Sequence, residues 1–280
     1  LITGILSCVN IVSVLKLIPN FRFNFSPISA PLRNQLLTFS GWHFVAGFLS
    51  LIIFQVDNLV IGTILGVDAV AIYFIAFSIH NYIKSLNSLV GSPLYYAITS
   101  EFAKRDKEDR DYLIINTTRI HSGILIPIVI IVLISTDNFI LSWVGERFSS
   151  SILPCKILLS YWFFNITTEI LSQGVIGGKG KVVENVKILG FVATANLGLS
   201  LLLVKFVGIT GVALGTAIPW ILASGFFVYR FCKILSIPVL DFIRQAVLSN
   251  LPVFLLSLIL SLLAQEFMKT GNVFHVIAIM

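Results

Sequence analysis

The stretch Gln35–Ser100 constrains the fold of this chain more than any other part of the sequence. It contains two long apolar segments joined at Leu65–Asp68. Each segment exceeds the roughly 20 helical residues that cross the hydrocarbon core of a bilayer. Asp57 lies deep in the first segment, and His80 and Lys84 lie deep in the second. Ionisable groups are costly at membrane depth, so they usually face a bundle interior or a water-filled path.

The composition identifies a membrane protein. Hydrophobic residues make up 57% of the 280 residues and charged residues 11%, whereas a soluble domain has about 25% charged residues. The mean hydropathy is +0.97. The apolar runs are continuous, which differs from the alternating pattern of a transmembrane barrel. Because only helices and closed barrels satisfy their backbone in lipid, the sequence predicts an all-α fold, a polytopic transmembrane helical bundle.

The apolar runs and the polar breaks between them predict seven full spans and two truncated ones. The full spans cover about 35–65, 68–100, 112–135, 152–177, 182–204, 212–231 and 246–264. The chain opens inside the apolar run 1–18, and the run 273–280 is too short to cross alone, which indicates a chain cut inside a helix at both ends. Breaks are expected at 101–111, from Asp137 to Arg147, and in the Gly-Lys turn 177–181.

Lys and Arg residues alternate between the two sides of this bundle. If the linker 19–34 is cytoplasmic, 14 of them fall on the cytoplasmic side and four on the other, and Lys84 lies inside a span. Cytoplasmic loops are enriched in Lys and Arg, so this asymmetry predicts both the orientation and the order of the spans. It also accounts for the net charge of +6 without a nucleic-acid partner.

Polar and small residues recur at intervals of three and four along both central segments. Such spacing places them on one face of each helix. The residues in question are His43, Gly47, Ser50, Phe54 and Asp57 in the first segment, and Tyr73, Phe77, His80, Lys84, Asn87 and Gly91 in the second. Two facing polar stripes predict a lined cavity. The alternative is a set of buried polar contacts that only hold helices together.

No motif of an enzyme, a cofactor site or a metal site is present in the sequence. The three Cys residues are scattered in apolar runs, the four His residues lack metal-ligand spacing, and no Ser, His and acid combine into a triad. The Gly-Lys turn lacks the spacing of a phosphate-binding loop. The sequence therefore predicts a protein that is not an enzyme and holds no cofactor, with buried, inert thiols.

Helical rise predicts which buried charges approach each other. At about 1.5 Å per residue, Asp57 lies level with His80 on the returning helix, while Lys84 lies nearer the depth of Glu169. Glu169 is the acid inside the span 152–177. Lys84 and Glu169 are therefore expected to pair, either as a permanent brace or as a pair that an anionic substrate opens.

Several short motifs around and after Asp57 resemble a known family. Asp57-Asn58, Gly62, Leu65-Gly66, Tyr73 and Ala76 stand in the order D-N-x-x-x-G-x-x-L-G-x-x-x-x-x-x-Y-x-x-A; Trp143-Val144-Gly145, Gly178-Lys179, Asn196 and Gly208-Ile209-Thr210-Gly211 follow. This resembles the C-terminal lobe of polysaccharide flippases, of the O-antigen (lipopolysaccharide) type, in the MATE-like multidrug/oligosaccharidyl-lipid/polysaccharide exporter superfamily. The resemblance covers roughly 35–233. Ala71 stands where a Gly is common.

The resemblance implies a lobe of a transporter with alternating access in the bacterial inner membrane. Residues 1–18 would end the preceding lobe, 19–34 would be a cytoplasmic linker, 35–233 a six-helix lobe, and 234–280 a truncated additional helix pair. The implied substrate is an oligosaccharide on a polyprenyl diphosphate, and the implied partners are that lipid, membrane lipids and the missing N-terminal lobe.

The residues suggest roles within such a transporter. The substrate path is predicted to include Lys84, His80, Tyr73, Asn87 and His43. Asp57 and Glu169 are predicted to couple an ion or a proton, as intramembrane acids do in transporters. Two alternatives remain: a drug or cation antiporter of the same superfamily, against which Lys84 argues, and a non-transporting membrane scaffold.

Overall fold

The computed structural model describes residues 29–102, 106–178 and 180–269. This part of the chain is helical and has no strand, which confirms the predicted all-α class. Eight α-helices are present in it, and their bounds are α1 Ala30–Ile64, α2 Val67–Phe102, α3 Lys107–Val144, α4 Ile152–Ser160, α5 Trp162–Gln173, α6 Val182–Leu235, α7 Val239–Phe242 and α8 Leu251–Lys269. Short 3₁₀ and π turns join several of them, at Glu146–Ser151, Gly174–Gly178, Ile243–Val247 and Leu248–Asn250.

The chain divides into two compact units, residues 1–38 and 39–280. In the first unit the described residues form the start of α1, where the Arg33 backbone N–H donates to the Ser29 carbonyl over 2.9 Å. The second unit contains the remaining helices and every predicted site residue. The predictions for 1–18, for most of the linker 19–34, for Lys179 and for 273–280 lie outside the described residues.

Helix α1 begins at Ala30, five residues before the predicted start and inside the predicted linker. Pro31 occupies the first turn, where a backbone N–H has no helical partner and a Pro is therefore tolerated. Residues 30–34 of the predicted linker are therefore helical.

Two predicted breaks are largely helical. In the predicted loop 101–111, α2 extends to Phe102 and α3 begins at Lys107. The predicted break at Asp137 does not exist, because α3 continues to Val144 and ends where Gly145 adopts a φ of 84°. Lys156 lies 2.6 Å from the Asp137 carboxylate, and this ion pair allows the charge to lie within a helix.

Five described helices are long and apolar enough to cross a membrane. The prediction counted seven full spans, and the difference lies in two regions. Residues 182–235 form the long helix α6, which is interrupted at Val207 and Gly208. Both residues have non-helical dihedral angles, and Gly208 has a φ of 59°. Residues 152–178 consist of consecutive short helices, none of which reaches spanning length alone.

The core of the second unit forms where α3 packs against α5 and α8, and where α4 and α5 pack against α6. Branched aliphatic and aromatic side chains fill it, including fully buried Tyr73, Tyr161 and Phe231. Cys155 and Cys232 are free and buried, as predicted. The stripe of polar and aromatic residues predicted on α2 is turned inward, since its members are buried or half-buried.

Candidate functional site: a buried carboxylate between three helices

Asp57 is buried near the end of α1, with 1% of its surface exposed. One carboxylate oxygen, Oδ2, accepts hydrogen bonds from the Tyr73 hydroxyl at 2.6 Å and the Thr216 hydroxyl at 2.7 Å. The Asn196 amide donates to the same Thr216 oxygen at 2.8 Å. Asn196 and Ser200 flank the carboxylate from α6. Helices α1, α2 and both halves of α6 therefore meet at one acid, which we call the Asp57 centre: Asp57, Tyr73, Asn196, Ser200 and Thr216.

Three oxygens in the Asp57 centre have no hydrogen-bond partner among the described residues. They are Asp57 Oδ1, Asn196 Oδ1 and Ser200 Oγ. No Lys or Arg in the described residues forms an ion pair with Asp57. A buried carboxylate without a basic partner is stable as the protonated acid or with a cation beside it. Carboxylate, amide and hydroxyl oxygens are ligands for hard cations, so the centre is chemically suited to bind a proton or such a cation.

The fold of α6 brings its three polar residues to Asp57. Asn196 and Ser200 are four residues apart and share one face of its first half. Gly208 adopts a positive φ, which a residue with a Cβ rarely does, and lets the chain turn back. Gly215 then lies so close to Ser200 that any side chain at position 215 would overlap it. This close crossing places Thr216 beside Asn196.

His80 lies elsewhere, in an aromatic cage. It is fully buried, and its Nδ1 accepts a hydrogen bond from the Trp162 indole N–H at 3.1 Å. The Tyr161 hydroxyl lies 3.3 Å from His80 Nε2. Phe77 stacks on the imidazole at a centroid distance of 5.4 Å. His80 is not among the hydrogen-bond partners of Asp57, which are Tyr73 and Thr216.

Lys84 is half-buried one turn beyond His80. Its ammonium lies 3.8 Å from the centroid of the Phe54 ring, a cation–π contact. In the described part of the chain it forms no ion pair with Glu169, which accepts instead from the Gln173 amide at 2.9 Å. The expected Lys84–Glu169 ion pair is therefore absent from this conformation.

Glu169 borders a separate polar cavity of about 200 Å³. Its lining includes Ser50, Asn165, Thr168, Ser172, Gln173, Asn185 and Trp220. The indole N–H of Trp220 has no acceptor within the described residues. The cavity thus presents one acid, several amides and hydroxyls, and an unused donor.

The remaining predicted path residues lie apart from each other. Asn87 is buried with its Oδ1 unpartnered in the described structure. His43 is exposed and contacts the Phe39 ring at a centroid distance of 4.5 Å. Among the predicted residues in the described structure, Asp57 and Tyr73 are joined by a hydrogen bond.

Thr216, Asn196 and Ser200 were not predicted as functional residues from the sequence. A signal existed, because Asn196 and Ser200 are polar residues four apart inside an apolar run. Thr216 had no such signal, since a lone Thr in a membrane helix commonly bonds its own helix backbone, and its partner Asp57 is 159 residues away.

Comparisons with known proteins identify a family for this chain and a solved structure with a similar fold. A family model described as "polysaccharide biosynthesis protein" matches residues 1–153. A solved MOP superfamily transporter from Pyrococcus furiosus is similar in structure, with a TM-score of 0.61 and 20% identity over 80% of this chain. The chain spans about half the length of that transporter, which is covered to 52%. No protein of curated function matches the sequence significantly.

The family match covers more than half of the chain, and the structural likeness covers 80% of it. The likeness at this identity concerns the fold, which this chain shares with that transporter. The sequence motifs of this chain had already indicated a resemblance to polysaccharide flippases. The chain belongs to the polysaccharide biosynthesis protein family.

Proposed function

We propose that this chain is one lobe of a transporter that flips lipid-linked oligosaccharides across the bacterial inner membrane by alternating access. The family, the transporter fold and the five apolar helices support a multi-pass membrane protein that acts in polysaccharide transport. The substrate would be a repeat unit on a polyprenyl diphosphate. The Asp57 centre is the observation that favours a transporter over a scaffold, because a buried, unpaired acid is costly in a purely structural bundle.

The proposed arrangement has seven crossings in the described residues. Helices α1, α2 and α3 each cross once, and residues 152–178 cross as a chain of short helices. The break at Val207–Gly208 divides α6 into two crossings, and residues 239–266 supply the last. Residues 35–233 would form the six-helix lobe, and the segment from 234 onward an additional pair.

In this proposal Asp57 couples transport to a proton or a cation. Its carboxylate joins α1 to α2 through Tyr73 and to α6 through Thr216. Uptake of a proton or cation changes which of these hydroxyls can donate to it, and therefore changes the relative free energies of helix arrangements. Glu169, in its own polar cavity, is the second proposed coupling residue.

Lys84 is the residue we assign to the diphosphate of the substrate. It has no carboxylate partner among the described residues and rests over Phe54. A half-buried ammonium without an anion gains more from a diphosphate than one that is already paired. The proposed path is completed by His80, Tyr73, Asn87 and His43. His80 and Tyr73 are buried in this conformation and would reach substrate only after a rearrangement.

Flipping of a labelled lipid-linked oligosaccharide by the intact protein in proteoliposomes tests the proposal. Lys84→Ala should abolish flipping while insertion and folding are kept, and Lys84→Arg should retain part of it. Lys156→Gln, which removes an ammonium from a half-exposed ion pair, is the matched control and should flip normally. Full activity of the double variant Lys84→Met, Glu169→Gln would end the substrate-site assignment.

A further inference from the structure

A second basic site lies at one end of the bundle, between α3 and the segment that precedes α8. A cleft of about 610 Å³ opens there. Its lining is Tyr112, Ile115, Asn116 and Arg119 from α3, and Arg244, Gln245, Leu248 and Ser249 from the turns before α8. The two arginines come from chain segments 125 residues apart, and no acidic residue lines the cleft.

Neither arginine has an ion-pair partner among the described residues. Arg230, by comparison, binds the Glu184 carboxylate at 3.1 Å. Two guanidinium groups that share one cleft repel each other unless an anion lies between them. Such an arrangement favours an anionic ligand from outside the chain.

Both arginines mark the edge of an apolar segment. No Asp, Glu, Lys or Arg occurs between Arg119 and Asp137, or between Arg244 and Glu266. Each arginine is thus the last charged residue before a run that enters the membrane, a position typical of the lipid headgroup level. Exposed Ile120 and Ile124 on α3, and Leu251 and Leu255 on α8, continue from the cleft along the helices.

Hydrogen bonds fix the two walls of the cleft to each other. The Asn250 amide donates to the Arg119 backbone carbonyl at 2.6 Å and to the Ser122 hydroxyl at 3.1 Å. Ser122 in turn donates to the Ala246 carbonyl at 3.1 Å. Gly123 allows this contact, since a Cβ there would crowd the Asn250 side chain at 3.2 Å. The arginines are therefore held on a preformed frame, which lowers the entropic cost of binding.

We propose that Arg119 and Arg244 bind the phosphate of an anionic phospholipid whose acyl chains lie along the apolar faces of α3 and α8. Guanidinium groups bind phosphate oxygens through paired hydrogen bonds. Tyr112, Asn116, Gln245 and Ser249 provide hydroxyl and amide groups for the glycerol and headgroup. Basic pockets between membrane helices bind anionic lipid headgroups in this way. The site is separate from the Asp57 centre and from Lys84.

The test uses the intact protein purified in a neutral detergent and titrated with phosphatidylglycerol, phosphatidylcholine or inorganic phosphate. Phosphatidylglycerol should raise the melting temperature, and Arg119→Gln or Arg244→Gln should increase the half-maximal lipid concentration about tenfold, the effect of one lost charge-assisted hydrogen bond. The half-maximal lipid concentration of Arg119→Lys should lie between those of the unmodified protein and Arg119→Gln, because an ammonium cannot form the paired hydrogen bonds of a guanidinium. Retention of lipid in native mass spectrometry gives an independent measure of binding.

The matched control is Lys107→Gln, which removes one exposed positive charge from the same helix, outside the cleft. It should titrate like the unmodified protein. The hydrogen bonds between the two walls of the cleft should survive all these substitutions. Of the substituted residues, only Arg119 takes part in them, and it does so through its backbone carbonyl. Equal stabilisation by phosphatidylcholine, equal stabilisation by inorganic phosphate alone, an equal loss in Lys107→Gln, or unchanged titration in both Gln variants would each overturn the proposal.

Discussion

The Tyr73 hydroxyl donates a hydrogen bond of 2.6 Å to the buried Asp57 carboxylate, across the hairpin formed by α1 and α2. The two residues are 16 positions apart in sequence and both are almost completely buried. Hydrogen bonds to a charged acceptor are stronger than neutral ones. A buried acceptor that loses its donor also lowers the stability of the folded state, because its lost hydration is no longer compensated. This contact therefore ties the acid to the relative position of the first two helices.

Tyr73→Phe removes the hydroxyl and keeps the ring in the core. We expect the free energy of unfolding to fall by about 0.5–3 kcal/mol, a range that covers a hydrogen bond to the protonated acid and one to the carboxylate. Thermal unfolding of the purified protein measures it. Tyr82→Phe, on the same helix but exposed, is the control and should have no effect. Equal melting temperatures for all three proteins would show that the contact contributes nothing to stability.

Asp57→Asn removes the charge at nearly constant volume, and the new amide can still accept from Thr216 or Tyr73. We expect the protein to fold and insert, and its transport to lose dependence on the coupling gradient. Transport into proteoliposomes under an imposed Na⁺ gradient or pH gradient measures this and identifies the coupled ion. Asp137→Asn, which affects only a half-exposed ion pair, should keep the dependence. A gradient response that persists in Asp57→Asn would refute the coupling role.

The sequence identified candidate residues where a side chain differs in polarity from the segment around it. Asp57 stands out because a charge in an apolar run has few structural uses, and Tyr73 follows from helical spacing on the neighbouring helix. The helical class follows from the same apolar runs. These inferences need no knowledge of how distant segments meet.

The sequence was uninformative where the outcome depends on long-range contacts. Asp137 was predicted to end a helix because nothing local reveals Lys156 beside it. The aromatic cage around His80 was not predicted, because Tyr161 and Trp162, which form it, lie about 80 residues away in sequence. Depth along a helix does not define rotation about its axis, so it cannot identify such partners.

Trp162→Phe keeps the aromatic packing around His80 and removes the indole N–H that donates to it at 3.1 Å. A buried His nitrogen without its donor is destabilising, and the smaller ring also leaves a gap. We expect a loss of about 1–3 kcal/mol in the free energy of unfolding. Trp143→Phe is the control, because Trp143 is about half exposed. The prediction fails if both substitutions lower the melting temperature equally.

Gly215→Ala tests the close crossing that places Thr216 at the Asp57 centre. A Cβ at position 215 would overlap the Ser200 hydroxyl, and would also lie 2.7 Å from the Ser200 backbone nitrogen. Since backbone atoms are involved, the two halves of α6 must move apart. We expect a loss of about 1–3 kcal/mol, as for other overpacked cores, measured by thermal unfolding. Gly225→Ala is the matched control, because its Cβ would meet nothing within 4 Å.

A further substitution separates side-chain crowding from helix separation. If the Ser200 hydroxyl alone caused the conflict, Ser200→Ala combined with Gly215→Ala would restore the melting temperature. The nearby backbone atoms of Ser200 predict that it will not. Separation of the halves would also lengthen the 2.7 Å hydrogen bond from Thr216 to Asp57. Gly215→Ala should therefore lower gradient-driven transport as well as stability, whereas Gly225→Ala should lower neither, since an unhindered Ala favours a helix over Gly. Full rescue by Ser200→Ala would show that the crossing is not set by the backbone.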